Sequence, residues 1–403
     1  MAQGTITDPL TLSEALGHAR IAPGHTIWLR AGTYTGNFAT ALQGQEGAAI
    51  AIKPYPGETV TTDGSLALGA TARYLDAIGR LVITDSSYTD RTQSGGAALA
   101  ASGDNNRIIN LIIRNGGQGV ASATDHTDCL FYGCLIQHCG WLDAANAYGH
   151  GVYLQNAVGT KKVDTCILCD QFGYNFHIYG TAAARLDNLV VRDNIVFNCG
   201  VYDSYRHNTY NLHIGGTEPF DSPLVDGNVF YSGPNRIGYG IDNIVTNAII
   251  TNNYFANPGG VALRLTTCVP TTMTGNTFIG TVSGFDPEDY PDNTYLVADA
   301  GLKTFVFPNA HDSNEANLAI YNWDEDDSVD LDVSAAYSDG DALTLHNAQD
   351  YEGDTAEVIV AGDGTISVDM RAASHSVLAP VGVETPCATT FPTFGAFIAV
   401  QTA

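Results

Sequence analysis

Tyr153, His177, His213 and Asp242 each stand two residues after a small or amide residue (Gly151, Asn175, Asn211, Gly240) in four successive copies of one short phrase. Phenol and imidazole groups held in line can take a proton from carbon and return one to a leaving oxygen. Two imidazoles with a carboxylate also suit a divalent transition metal. Which chemistry applies depends on whether these side chains share a face, so the elements that carry them come next.

Successive side chains of a strand point to opposite faces. Val120, Val152, Phe176, Leu212, Ile241 and Val261 are apolar throughout and are read as an inward row. The next residues, Ala121, Tyr153, His177, His213, Asp242 and Ala262, are then expected to face out. Two positions further on, Gln155, Tyr179, Gly215, Ile244 and Arg264 are expected to face out as well. The segments entering two of these strands are long, Trp141 to Tyr148 and Val201 to Tyr210. Trp141, Tyr202, Tyr205, Arg206 and His207 within them are read as a rim able to stack on and hydrogen-bond a ligand.

The phrase itself recurs upstream of these strands. Copies beginning at Asn110, Cys134, Cys166, Asn194, Asn228, Asn253 and Asn276 follow one another at intervals of 24, 32, 28, 34, 25 and 23 residues. Each has an apolar run followed by a turn, and no helix-length amphipathic segment lies between them. A period of this size marks a repeat architecture. The chain resembles the right-handed parallel β-helix superfamily of pectate-lyase-like proteins over about three-quarters of its length. The resemblance implies an all-β solenoid.

Four segments are expected: 1–35, an N-terminal cap helix opened by the capping box Thr11-Leu-Ser-Glu14 plus a first strand; 36–284, the β-helix; 285–300, a linker; and 301–403, an antiparallel β-sandwich. The last resembles the sandwiches appended to carbohydrate-active enzymes, carried by Tyr321-Asn-Trp323 and Phe394-Gly-Ala-Phe397. It is expected to cover the solenoid's end or to bind glycan.

The net charge of −26, with lysine only at positions 53, 161, 162 and 303, argues against nucleic acid as a partner. No apolar run is long enough to span a membrane, so no membrane insertion is expected. An acidic chain repels an acidic polymer at low ionic strength, unless salt screens the charge or a divalent cation such as calcium bridges the two. Apart from that cation no cofactor is expected. The eight cysteines read as small core residues, since Cys134 and Cys166 take the place that other copies give to asparagine.

The resemblance implies a polysaccharide partner and an extracellular, secreted or virion-associated setting; Met1-Ala-Gln-Gly carries no feature of a signal peptide. A homo-oligomer is left open. The preferred reaction is β-elimination on a uronic acid, with Tyr153, His177 and His213 as base and acid and Arg264 or Arg236 neutralising the carboxylate. The alternatives are glycoside hydrolysis through Asp242 and a second carboxyl from Asp170, Asp203, Glu218 or Asp221, and a non-catalytic tail, fibre or decoration protein adhering to glycan.

Overall fold

The computed structural model describes residues 4–142, 144–204 and 208–402. Its strands from Thr26–Leu29 to Thr294–Leu296 form a right-handed parallel β-helix with three walls. The first wall is a ten-stranded parallel sheet running from Thr26–Leu29 to Thr272–Thr274. The second contains Ile112–Arg114, Leu135–Gln137, Ile167–Cys169, Ile195–Phe197 and Val229–Tyr231. The third contains Gln118–Ser122, His150–Leu154, Tyr174–Gly180, Leu212–Gly216 and Asn235–Ile237. Long strands such as Tyr254–Leu265 pass from the second wall to the third without a break.

Registry between coils is held from inside. Asn194, Asn228, Asn253 and Asn276 each donate from Nδ2 to the Oδ1 of the next asparagine at 2.8–2.9 Å, ending on Asn293. Each of those Oδ1 atoms also accepts the previous residue's own backbone N–H, at 2.9–3.1 Å. The ladder satisfies amides at a tight corner where water has no access. Cys166 continues it, its N–H donating to Asn194 Oδ1 at 2.9 Å, and the Cys134 N–H then meets Cys166 Sγ at 3.4 Å. The residue before each ladder position adopts a left-handed backbone, at Gly133, Thr165, Asp193, Gly227, Asn252 and Gly275. Asn110 belongs to that corner series, with φ 58, and Leu111 holds the ladder position, one residue later than the sequence phrase suggests. Beyond the corner, Phe230, Phe255, Phe278 and Tyr295 stack face to face at 4.8–5.3 Å inside the coils.

At the N-terminus the capping box is present, Glu14 N–H donating to Thr11 Oγ1 and Thr11 N–H to Glu14 Oε2. The helix spans only Leu12–Ala15, and Leu16 beyond it is buried, its carbonyl accepting from Thr40 Oγ1 at 2.8 Å. At the other end the stretch 285–300 carries one more strand, Thr294–Leu296, paired in parallel with Thr277–Ser283, where a linker is expected. Asn293, which closes the ladder, explains why: it extends the same corner by one coil.

The C-terminal region is a sandwich of a five-stranded antiparallel sheet and the two-stranded pair Ser328–Asp332 with Thr365–Asp369. It does not sit on the solenoid's end. Its sheet lies along the second wall, where Ala319, Tyr321, Phe394, Ala396 and Ile398 pack against Ile112, Leu135, Ile167, Ile195, Phe197 and Val229. That cover is why second-wall strands are apolar on both faces instead of alternating. Arg80 pairs with Glu315 across the junction, Tyr321 OH donates to the Phe230 carbonyl at 2.9 Å, and Asn317 Nδ2 donates to the Thr165 carbonyl at 2.6 Å.

Replacing Asn253 by Ala leaves the buried Asn228 N–H without its Oδ1 acceptor and the Val225 carbonyl without the Nδ2 donor, while Asn276 Oδ1 keeps the backbone N–H of residue 253. At 1–3 kcal/mol for each buried group left unpaired, a loss of roughly 2–4 kcal/mol is expected. A urea denaturation midpoint unchanged by Asn253→Ala contradicts this.

Candidate functional site

The third wall leaves its outer face free, and strand register fixes which residues meet there. Ala121 pairs with Tyr153, His177 with His213, His213 with Arg236, and Arg236 with Arg264. Val152 pairs with Phe176, which sets Tyr153 beside His177. The row therefore runs Ala121, Tyr153, His177, His213, Arg236, Arg264. Tyr153, His177 and His213 stand in it as the alternation suggests.

Asp242 does not. The fifth strand of the row is Asn235–Ile237, and Asp242 lies exposed in the bend after it. Ile241, expected inward, is 86% exposed, and Ile244, expected two positions along the wall, lies in the same bend and is exposed. The sequence misleads here because Asn235, a buried amide donating to the Ala262 carbonyl at 2.9 Å, fills the inward place that other coils give to an apolar residue. One coil on, Leu263 and not Val261 is the inward residue, Ala262 is buried, and Arg264 enters the main row.

A second line of aromatic groups stands beside this row. His150, Tyr174 and Tyr210 precede Tyr153, His177 and His213 by three residues each, and His150 pairs in register with Tyr174. The His150 ring lies 4.1 Å from His177 and 5.1 Å from Tyr174, and Tyr174 lies 4.6 Å from His177. His213 sits 5.3 Å from His177, 5.6 Å from Tyr210 and 5.7 Å from Tyr239. The guanidinium of Arg236 lies 4.8 Å over the Tyr239 ring, within cation–π range.

A pocket of about 290 Å³ opens at this cluster, lined by Asn146, Ala147, Tyr174, Asn208, Tyr210, His213, Arg236 and Tyr239. Among the described residues its lining holds one cation and no carboxylate, in a chain whose net charge is −26. His213 is 3% exposed, and neither of its ring nitrogens has a partner; Nδ1 of His150, Nδ1 of His177 and Nε of Arg236 are also unpaired. Unpaired buried donors and acceptors are costly, and here they converge on one place.

Electrostatics sharpens the picture. Burial, with the neighbouring His177 and Arg236 adding to it, lowers His213 to about 3; burial alone lowers His177 to about 4; and burial drives His150 well below the ordinary value. All three are neutral at pH 7. Burial raises Tyr174 to about 12, so its phenol stays protonated.

No protein-family model and no curated protein sequence matches the chain. Among solved structures it is similar to the pectate lyase Pel9A, at 13% identity and TM-score 0.43, over 68% of this chain and 75% of that one. It is similar to a GH136 lacto-N-biosidase from Eubacterium ramulus, at 12% identity and TM-score 0.42, over 73% of this chain and 66% of the other. It is also similar to the Dettilon tailspike protein, at 11% identity and TM-score 0.38, over 93% and 86%. Likenesses of this size carry nothing about the site, which is read from its own geometry.

The remaining expected residues fall as follows. Gln155 Nε2 donates to Tyr153 OH at 3.2 Å and to the Tyr179 carbonyl at 3.0 Å, which fixes both beside the row. Trp141 stacks on Tyr148 at 5.6 Å in a small antiparallel ribbon at the rim. Tyr202 turns away from the pocket, packing on Phe172 at 4.9 Å and accepting the Cys387 N–H at 3.2 Å. Tyr205, Arg206 and His207 lie outside the described residues. Asp170 is buried and bonded to Asn198 and Gln349, and Asp221 to Ser222, Thr246 and Asn247, so neither faces the pocket. Among the described residues no group of three or more His, Cys, Asp or Glu is arranged to hold a metal ion. Tyr174, Tyr210, Tyr239, Asn146 and Asn208 are additions; the repeated aromatic-x-x-aromatic spacing in three coils is the signal that points to the first two.

A histidine held neutral by folding costs stability once the unfolded chain protonates. With an ordinary value of 6.5 and a folded value near 3 for His213, the unfolded state binds more protons between those pH values, so this contribution falls as the pH drops. The urea midpoint is expected to decline from pH 6.5 to 4, with a shallower decline in His213→Gln. Equal slopes contradict the assignment.

Proposed function

We propose that the chain binds an anionic, uronate-bearing polysaccharide across the third wall and cleaves it by β-elimination. The observation that carries this reading is a pocket whose described lining holds Arg236 and no carboxylate. Arg236 supplies a fixed positive charge, and its own Nε and the imidazoles beside it lack partners that a sugar carboxylate and hydroxyls would provide. Glycoside hydrolysis needs two carboxyls flanking the bond, and the described residues of the pocket lining supply none.

In this reading Arg236 takes the substrate carboxylate, lowering the acidity barrier of the adjacent C–H. His213, neutral and buried, removes that proton through its free ring nitrogen. An imidazole near 3 is a poor base in the empty site, but the arriving carboxylate places a negative charge beside it and favours the protonated form. Tyr174, protonated and already donating to the Asn208 carbonyl at 2.9 Å, is the acid that returns a proton to the departing glycosidic oxygen. The electron pair of the C–H bond becomes the ring double bond as the C–O bond breaks, so the products are an unsaturated uronate and a free hydroxyl end. Tyr153, His177 and Arg264 extend the row on either side as subsites.

A panel of uronate-bearing polysaccharides is expected to yield new absorbance near the ultraviolet edge. His213→Ala is expected to lose ~10²–10⁴-fold in kcat, the usual worth of a general base. Arg236→Ala is expected to lose about 10²–10³-fold, typical for a group that stabilises developing charge. New reducing ends without that absorbance indicate hydrolysis, binding without product indicates an adhesin, and full activity in His213→Ala removes the imidazole from the mechanism.

A further inference from the structure

We propose that the C-terminal sandwich is a working part of the pocket: its segment 380–391 fastens the rim ribbon and so sets how substrate is held. The proposal rests on the pocket being the glycan site. The ribbon, Trp141–Leu142 paired with Ala147–Tyr148, contributes Ala147 to the pocket lining. Its underside does not rest on the β-helix alone. Leu142 and Ala147 bury against Phe172, and Val383 from the sandwich and Tyr202 close the same small apolar cluster.

Arg91 ties the two bodies from the other side. It is 7% exposed and donates through Nη1 to the Gly140 carbonyl at 3.2 Å, just before the ribbon, and through Nε to the Val381 carbonyl at 2.8 Å. Its own carbonyl accepts the Leu142 N–H at 2.9 Å, and the Val381 N–H donates to Asn115 Oδ1 at 3.0 Å. Gly382 lies so close to Thr89 that a side chain there would meet the Thr89 carbonyl oxygen at 2.2 Å. The Cys387 N–H reaches Tyr202 OH, on the same connection as the pocket residues Asn208 and Tyr210.

The sandwich is thus bonded to both connections that frame the pocket. A two-residue ribbon has little stability of its own, so its position depends on what packs beneath it. Displacing a substrate-positioning element weakens binding and alignment without touching the reacting groups.

The test compares Val383→Asn, which puts a polar group into the apolar cluster, with Val383→Ile, which keeps it apolar. Hydrogen exchange, thermal midpoint, KM and kcat are measured on the full chain. In Val383→Asn the amides of 141–148 are expected to exchange at least ~10-fold faster than in the wild type, with exchange elsewhere and the thermal midpoint little changed. KM on the cleaved uronate polymer is expected to rise about 10-fold with kcat within ~3-fold. Val383→Ile is expected to match the wild type.

Unchanged ribbon exchange and KM in Val383→Asn overturn the proposal. So does faster exchange spread evenly over the chain, which marks a structural role only. If Val383→Asn does not fold, Tyr202→Phe, which removes the hydroxyl that meets the Cys387 N–H and thiol, carries the same comparison. If the wild type acts on no uronate polymer, the β-elimination reading fails by itself, and the exchange comparison still decides whether the sandwich holds the ribbon.

Discussion

The asparagine ladder is the constraint on which the rest of the molecule depends. A solenoid coil must turn a corner at the same place each time, and the corner leaves amides inside the protein that neither sheet pairing nor water can satisfy. Asn194, Asn228, Asn253 and Asn276 meet that need by accepting from one coil and donating to the next, and Asn293 closes the series as the last acceptor. Because each side chain bonds to its neighbour's side chain and backbone, a slip of one residue would break several bonds at once. The ladder thereby fixes the register of the second wall, and the second wall fixes that of the third.

Register is what turns scattered residues into a site. Coils stacked at the spacing of hydrogen-bonded strands set His177 directly beside His213, and His213 beside Arg236. The three walls then divide the labour. The second is covered by the sandwich and is apolar on both faces. The third is left uncovered by the sandwich, flanked by the ribbon and by the connection carrying Tyr202, whose hydroxyl accepts the Cys387 N–H. Burial keeps the imidazoles neutral, and Arg236 is the cation in the described lining of the pocket.

Much of this was legible in the sequence, and the failures have physical causes. The repeated phrase with its Asn-or-Cys position specified a parallel β-helix, because few side chains can stack at a buried corner. The alternation in Gly151-Val-Tyr, Asn175-Phe-His and Asn211-Leu-His placed Tyr153, His177 and His213 correctly, since their inward partners are plainly apolar. The same rule failed one coil later. There Asn235 is buried by virtue of its bond to Ala262, and Gly240-Ile-Asp, which looks like a strand start, is an exposed bend. Alternation also hid Tyr174 and Tyr210, because residues three apart share a face only where a strand bends. The seat of the sandwich was not legible at all. Two-faced apolar strands such as Leu135-Ile-Gln137 imply a cover, and nothing in the sequence says which segment supplies it.

The central claim is that this pocket receives a sugar carboxylate on Arg236 with the neighbouring C–H turned toward His213. A crystal structure of His213→Ala with an oligouronate tests it most directly. The account predicts the carboxylate within hydrogen-bond distance of the Arg236 guanidinium and the adjacent ring hydrogen facing the space left by the imidazole. An oligosaccharide bound on another wall, or one whose carboxylate points away from Arg236, would contradict it.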